Sequence, residues 1–154
     1  MRRRELLSGL VSVSVLSALR RAGAATGKHP EVNLTIATDG DLLAFKPTEL
    51  TCTSGALVHL MLFHTGKYIT QEHDWVLTVP GAADAVAQSV LNAGDAGGYM
   101  PHGDRRVIAA TTMCNKGEHV SIDFIAPAPG DYPFICTYPG HAAFMRGNLR
   151  VMPR

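Results

Sequence analysis

Hydrophobic and polar residues alternate along much of the chain. Val32, Leu34 and Ile36 are separated by polar neighbours, which is the period of a half-buried strand. Asp39-Gly40-Asp41 reads as a turn, after which residues 42–45 resume in extended form up to Pro47. Residues 50–53 make a short strand, and Ser54-Gly55 turns the chain. The most apolar run, 56–64, is too short for a helix and predicts a buried strand. Residues 75–79 predict another, stopped by Pro80-Gly81. Residues 82–92 break the period. They are Ala-rich, with Val86, Val90 and Leu91 at helical spacing, and predict a helix with Gly94 as a cap beyond its end. Segments 106–111, 120–125, 132–136 and 148–152 predict the remaining strands, punctuated by Lys116-Gly117, Pro129-Gly130 and Pro139-Gly140. Seven or eight short strands with regular turn signals predict an all-β fold, a sandwich or a barrel, with one helical insertion between its middle strands.

Residues 1–24 stand apart. They hold Arg2, Arg3, Arg4, Arg20 and Arg21 against Glu5 alone. A moderately apolar stretch, 6–19, is broken by Ser8, Gly9, Ser12, Ser14 and Ser17, and Ala22-Gly23-Ala24 supplies a small-x-small cleavage pattern. The stretch is shorter than the ~20 residues that span a bilayer. The expectation is a signal peptide over 1–24 and a single exported or periplasmic domain over 25–154, with no stable membrane insertion after cleavage. The alternative is an amphipathic helix kept in the mature protein. Arg3-Arg4-Glu5-Leu6-Leu7 also resembles a twin-arginine signal, although Arg2 stands where that signal usually has serine.

Composition narrows the partners. With 46% hydrophobic and 18% charged residues, the chain has a globular balance. The net charge of +1 conceals a split, because 25–154 alone holds 9 Lys+Arg against 12 Asp+Glu, a net of −3. The body has no basic run, which argues against nucleic acid as a partner. Three cysteines cannot all pair within one chain, so a disulfide framework is excluded.

The chemistry lies near the C-terminus. Cys136-Thr137-Tyr138-Pro139-Gly140-His141-Ala142-Ala143-Phe144-Met145 places a thiol, an imidazole and a thioether on a turn between two strands. A second imidazole stands upstream in His73-Asp74-Trp75-Val76-Leu77. Two imidazoles, one thiolate and a distant thioether are what a blue-copper centre requires. The trigonal plane suits both Cu(I) and Cu(II), so little rearrangement accompanies electron transfer. Alone, a cysteine at a strand end is a small hydrophobe and a methionine is core filler. It is the joint spacing that points to a metal. His29, His59, His64, His102 and His119 lack this company, and His59, inside the apolar run, reads as structural. Cys52 and Cys114 have no ligand-like spacing, which argues against a Cys-rich zinc site.

Segment 136–145 resembles the ligand loop of azurins and the related auracyanins, and His73-Asp74-Trp75-Val76-Leu77 resembles their first-histidine strand. Weaker matches occur at Asp41-Leu42-Leu43-Ala44-Phe45, Leu91-Asn92-Ala93-Gly94 and Arg106-Val107-Ile108-Ala109, so the likeness spans 32–152. It implies a cupredoxin, a Greek-key sandwich of two sheets in which 82–92 is the family's helical insertion. It also implies one mononuclear copper held by His73, Cys136 and His141, with Met145 axial. Asp74 matches the family's residue that ties the histidine strand to the cysteine loop, with Thr137 as its partner; the alternative is a plain turn carboxylate. Two departures stand out. Azurins have glycine before the first histidine, where this chain has Glu72, and they carry a disulfide from the first strand, whereas 31–50 here has no cysteine. In the topology so implied, Cys52 and Cys114 lie at opposite ends and stay unpaired.

The implied function is an exported one-electron carrier, not an enzyme, because one site with no general acid or base leaves nothing for bond chemistry. A copper carrier or storage module is the alternative, though such proteins expose Met- and His-rich stretches. A binding sandwich with an incidental site is a third class. Redox proteins, a cytochrome or a copper enzyme, would dock weakly around His141. There Tyr138, Pro139, Gly140, Ala142, Ala143 and Phe144 form an uncharged collar, and one ring edge of His141 should face solvent or a partner.

Overall fold

Alternating side chains close into two facing sheets because each strand has one apolar face to bury. In the computed structural model, which describes residues 29–154, nine strands form in chain order: β1 (Glu31–Thr38), β2 (Phe45–Lys46), β3 (Glu49–Thr53), β4 (Leu57–Phe63), β5 (Val76–Thr78), β6 (Val107–Ala110), β7 (His119–Ile125), β8 (Gly130–Ile135) and β9 (Arg146–Met152). One sheet has the order β2-β1-β4-β7 and the other β3-β9-β8-β5-β6. The pairs β1/β4 and β3/β9 are parallel, and the rest are antiparallel. The sequence-predicted all-β sandwich is the observed fold. The expected export signal over 1–24 lies outside the described residues.

The core fills from both sheets. Ile36, Val58, Leu60 and Leu62 face inward from one, and Leu50, Leu77, Phe134 and Leu149 from the other, with Trp75 between them. Each such fully buried side chain stabilises by about 1.5–3 kcal/mol relative to exposure. Trp75 packs on Phe124 and Phe134 at centroid distances of 5.8 and 5.6 Å.

Two expectations need correcting. Segment 56–64 is not buried on both faces. Val58, Leu60 and Leu62 point inward, while His59 and Met61 point out, and His59 Nδ1 meets Asp123 Oδ1 at 2.8 Å. The run is rich in large apolar residues on its outer face, so composition masked the period of two. Residues 42–44 are not extended either. They close a turn in which Asp39 N–H donates to the Ala44 carbonyl, leaving Phe45–Lys46 as the whole of β2.

The helix α1 (Ala83–Ala93) forms where the period switched. Its buried Ala83, Val86 and Val90 make one stripe, of which Ala83 and Val86 pack with Val76 and Ile135 on the outer face of the five-stranded sheet. The helix ends where Gly94, at φ +70°, donates its N–H back to Val90 and Leu91. A smaller second core is thereby formed behind β5 and β8, the strands that carry the site.

Candidate metal centre

Strand directions bring the site together. Because β1 and β4 run parallel, the segments after both leave the same end of the sandwich. Segment 64–75 then leads into β5, and β8 runs antiparallel to β5 with Ile135 opposite Val76. The residues just after β8 therefore meet those just before β5, and Cys136 meets His73. His73 is fixed by reciprocal backbone bonds with Cys114: its N–H donates to the Cys114 carbonyl (3.1 Å) and its carbonyl accepts from Cys114 N–H (2.7 Å).

The loop after β8 folds back on itself. Cys136 N–H donates to the Met145 carbonyl (3.0 Å), and Met145 N–H donates to the His141 carbonyl (2.8 Å). His141–Ala143 makes one 3-10 turn between them, entered through Gly140 at φ +82°, a conformation that glycine adopts without steric cost.

Three donor atoms converge inside this frame. His73 Nδ1 and His141 Nδ1 are 3.2 Å apart, and Cys136 Sγ lies 3.8 Å from the first and 3.6 Å from the second. The centre of a triangle with these sides is about 2.1 Å from every corner, the length of a metal–imidazole bond and close to that of a metal–thiolate bond. The three form the one group of at least three His, Cys, Asp or Glu donors with metal-holding geometry among the described residues. All three are buried, and Met145 is fully buried in the same core cluster as Cys136. Three of the four residues singled out in the sequence thus converge, and the fourth, Met145, closes the same loop through its backbone.

Electrostatics favour a soft cation here. Burial, with His64 and His141 nearby, lowers the His73 pKa to about 4, and burial also lowers that of His141. Both imidazoles are therefore neutral at ordinary pH, with lone pairs free for a metal. Burial, then the Asp74 charge, pushes the Cys136 thiol well up. Without a cation the thiol keeps its proton, and a metal must displace it.

Asp74 occupies the expected position. Thr137 N–H donates to Asp74 Oδ1 (2.6 Å), tying the histidine strand to the cysteine loop. Thr137 Oγ1 reaches both the other Asp74 oxygen (2.5 Å) and the Tyr99 carbonyl (2.8 Å), two acceptors for one proton. Burial raises the Asp74 pKa to about 6 against the opposing pull of the Thr137 hydrogen bonds.

Sequence reasoning missed two neighbours. His64, set aside for lack of company, is buried with its ring 4.6 Å from that of His73. Gly66 N–H donates to His64 Nδ1 (3.2 Å), so Nε2 carries the proton and donates to the Gln71 carbonyl (3.0 Å). Its one sequence signal is a histidine ending the most apolar strand before Thr-Gly. Cys114, taken as a spare thiol, supplies the backbone that seats His73, a pairing with no local signature. His141, one ring edge of which is expected to face solvent or a partner, is 4% exposed as a whole residue. The accessible surface belongs to Gly140, Ala143 and Phe144 around it. All three cysteines are free, as expected for Cys52 and Cys114.

Comparison with known proteins agrees with this geometry. Residues 31–152 match the family described as copper binding proteins, plastocyanin/azurin family. Auracyanin-A of Chloroflexus aurantiacus is 38% identical over 128 residues, 82% of this chain and 77% of that protein. An azurin of Achromobacter denitrificans is 40% identical over 99 residues, 61% of this chain and 65% of that one, just under two thirds of its length. The solved structure of auracyanin A, titled a "blue" copper protein, superposes with a TM-score of 0.72 at 38% identity, covering 79% of this chain and 99% of that chain. Dithionite-reduced auracyanin from Roseiflexus castenholzii superposes at 0.71 with 35% identity, covering 82% and 100%. A sandwich of this order, a buried His-Cys-His triangle and these relatives lead to one conclusion: the chain belongs to the plastocyanin/azurin family, a cupredoxin of the blue, electron-carrying kind that takes one type 1 copper ion.

Proposed function

We propose that the protein is an exported one-electron carrier, rather than an enzyme, whose copper is held by His73, Cys136 and His141 with Met145 as the axial ligand. The carrying observation is the closed triangle of Nδ1, Nδ1 and Sγ at 3.2, 3.6 and 3.8 Å. His73 and His141 present neutral nitrogens, Cys136 gives up its thiol proton on loading, and the Met145 thioether biases the site toward the reduced state. Copper bound there supplies a centre that exchanges one electron between Cu(I) and Cu(II). The protein's task is then to hold the donors still. Asp74 clamps Thr137, Cys114 clamps His73 and the Met145 carbonyl clamps Cys136, so neither oxidation state needs the donors to move. Burial of all four proposed ligands disfavours the storage alternative, in which metal passes by exchange of exposed ligands.

Redox proteins would dock at the metal end, where Leu42, Leu43, Tyr68 and Phe144 are exposed apolar side chains on the loops that flank the site. Such encounters bury little area and release quickly. The basic, interrupted apolar N-terminus supports export.

The test is reconstitution. Mature protein given one equivalent of Cu(II) should turn intensely blue through charge transfer from the Cys136 thiolate. C136S should lose the colour and keep its far-ultraviolet circular dichroism. A colourless loaded wild type would refute the ligand set.

A further inference from the structure

His141 ends a row of rings that the ligand set does not explain. Tyr138 packs against it at a centroid distance of 4.7 Å, and Tyr99 packs against Tyr138 at 5.7 Å. Both separations fall within the contact range of aromatic pairs. The two tyrosines are half-buried, whereas His141 is 4% exposed. The row thus leads from a buried imidazole to the surface on the side of segment 94–104.

Tyr99 is kept in this row against a backbone cost. At φ +53° it is the one non-glycine residue in the left-handed region among the described residues. For a side chain of this kind the conformation costs about 1–2 kcal/mol, and a glycine would adopt it freely. The neighbouring turn already uses Gly94 and Gly98 in that region, so an aromatic ring at 99 is not demanded by chain reversal. The Thr137 hydroxyl, 2.8 Å from the Tyr99 carbonyl, joins the strained residue to the loop that carries Cys136 and His141. Strain of this sort gathers where a side chain must be placed for function.

We propose that Tyr99 and Tyr138 form an aromatic bridge that carries the electron between His141 and the surface of segment 94–104, a second exit beside the collar of the ligand loop. The proposal rests on the copper reading above. Contacting π systems couple better than water or an open gap, so tunnelling through the row is faster than across solvent. In each passage one electron leaves the reduced site, Cu(I) becomes Cu(II), and a one-electron acceptor on that flank is reduced. No proton moves and no bond breaks.

His102, exposed and three residues beyond Tyr99, offers a native attachment point for a ruthenium photo-oxidant. Flash-generated Ru(III) should draw an electron from the Cu(I) protein. Y99L should slow this by an order of magnitude, and Y99F, which keeps the ring, should restore the wild-type rate. The blue band and reduction potential should be the same in all three. A wild-type rate in Y99L, a slow rate in Y99F, or a shifted band in Y99L would each overturn the bridge. A second readout needs no copper. With redox-inert zinc in the site, Ru(III) takes one electron from a phenol, whose proton leaves to water. The trapped radical should map to Tyr99 or Tyr138. Its appearance solely on Tyr68 or Tyr132 would overturn the proposal. A protein that binds Cu(II) without colour fails earlier, on the ligand set, and the zinc readout still reports on the rings.

Discussion

Met145 has no exposed atom and packs among apolar residues, a place that leucine would fill as well. A thioether is chosen there over a hydrocarbon if its sulfur faces the metal. Met145→Gln should therefore keep copper bound and lower the reduction potential, because an oxygen donor favours Cu(II) more than sulfur does. Potentiometry of the blue variant reads this directly, and an unchanged potential would remove Met145 from the ligand set. At this scale the sequence is most legible where donors are neighbours. Cys136, His141 and Met145 share one short segment, and His73 is marked by the Asp-Trp-Val-Leu that follows it. His64 is not legible, because its role depends on the Gly66 amide and the Gln71 carbonyl placed around its ring. Tyr99 is not legible either, since a left-handed backbone at a tyrosine contradicts local preference and is set by the loop it touches.

β9 passes so close to β3 and β8 that one position tolerates no side chain. A Cβ at Gly147 would run into the Thr48 carbonyl and the Phe134 ring. The first is backbone and the second is locked between Trp75 and Phe45, so neither can give way. Gly147→Ala should destabilise by about 3 kcal/mol, at the upper end for overpacking. Chemical denaturation followed by the emission of Trp75, the single tryptophan, would measure it. A loss of under about 0.5 kcal/mol, the size of an ordinary surface change, would mean that β9 can shift. Among the elements, strands and the helix are legible wherever one face is apolar, as in β1, β7 and α1. The two-residue β2 is not, because Phe45 and Lys46 gain strand form only from pairing with Thr38 and Ala37. The parallel pairings β1/β4 and β3/β9 leave no trace in local pattern, since each joins segments with at least one other strand between them.

The two ends of the sandwich differ in character. At the metal end the collar of 138–144 carries no charge, and Tyr68 and Phe144 are 84% and 68% exposed. Electron exchange between two copies meeting collar to collar should depend weakly on ionic strength, because charges farther away are screened within about 10 Å at 0.1 M salt. Ala143→Glu should slow that exchange severalfold, and added salt should restore part of the rate. Self-exchange line broadening in mixtures of oxidised and reduced protein reads both effects. An unaltered rate in the variant would place the contact elsewhere. The order of β3-β9-β8-β5-β6 has a further consequence, in time rather than space. β9, the last of the described strands, is an interior strand of its sheet, and β3 has no other neighbour there. Until 146–152 arrives, the barrier of long-range pairing cannot be crossed, and the half-made sheet exposes a hydrophobic gap. Folding is therefore held open until 146–152 has been delivered, and the thiol of Cys136 meets its two imidazoles no sooner than β9 is in place.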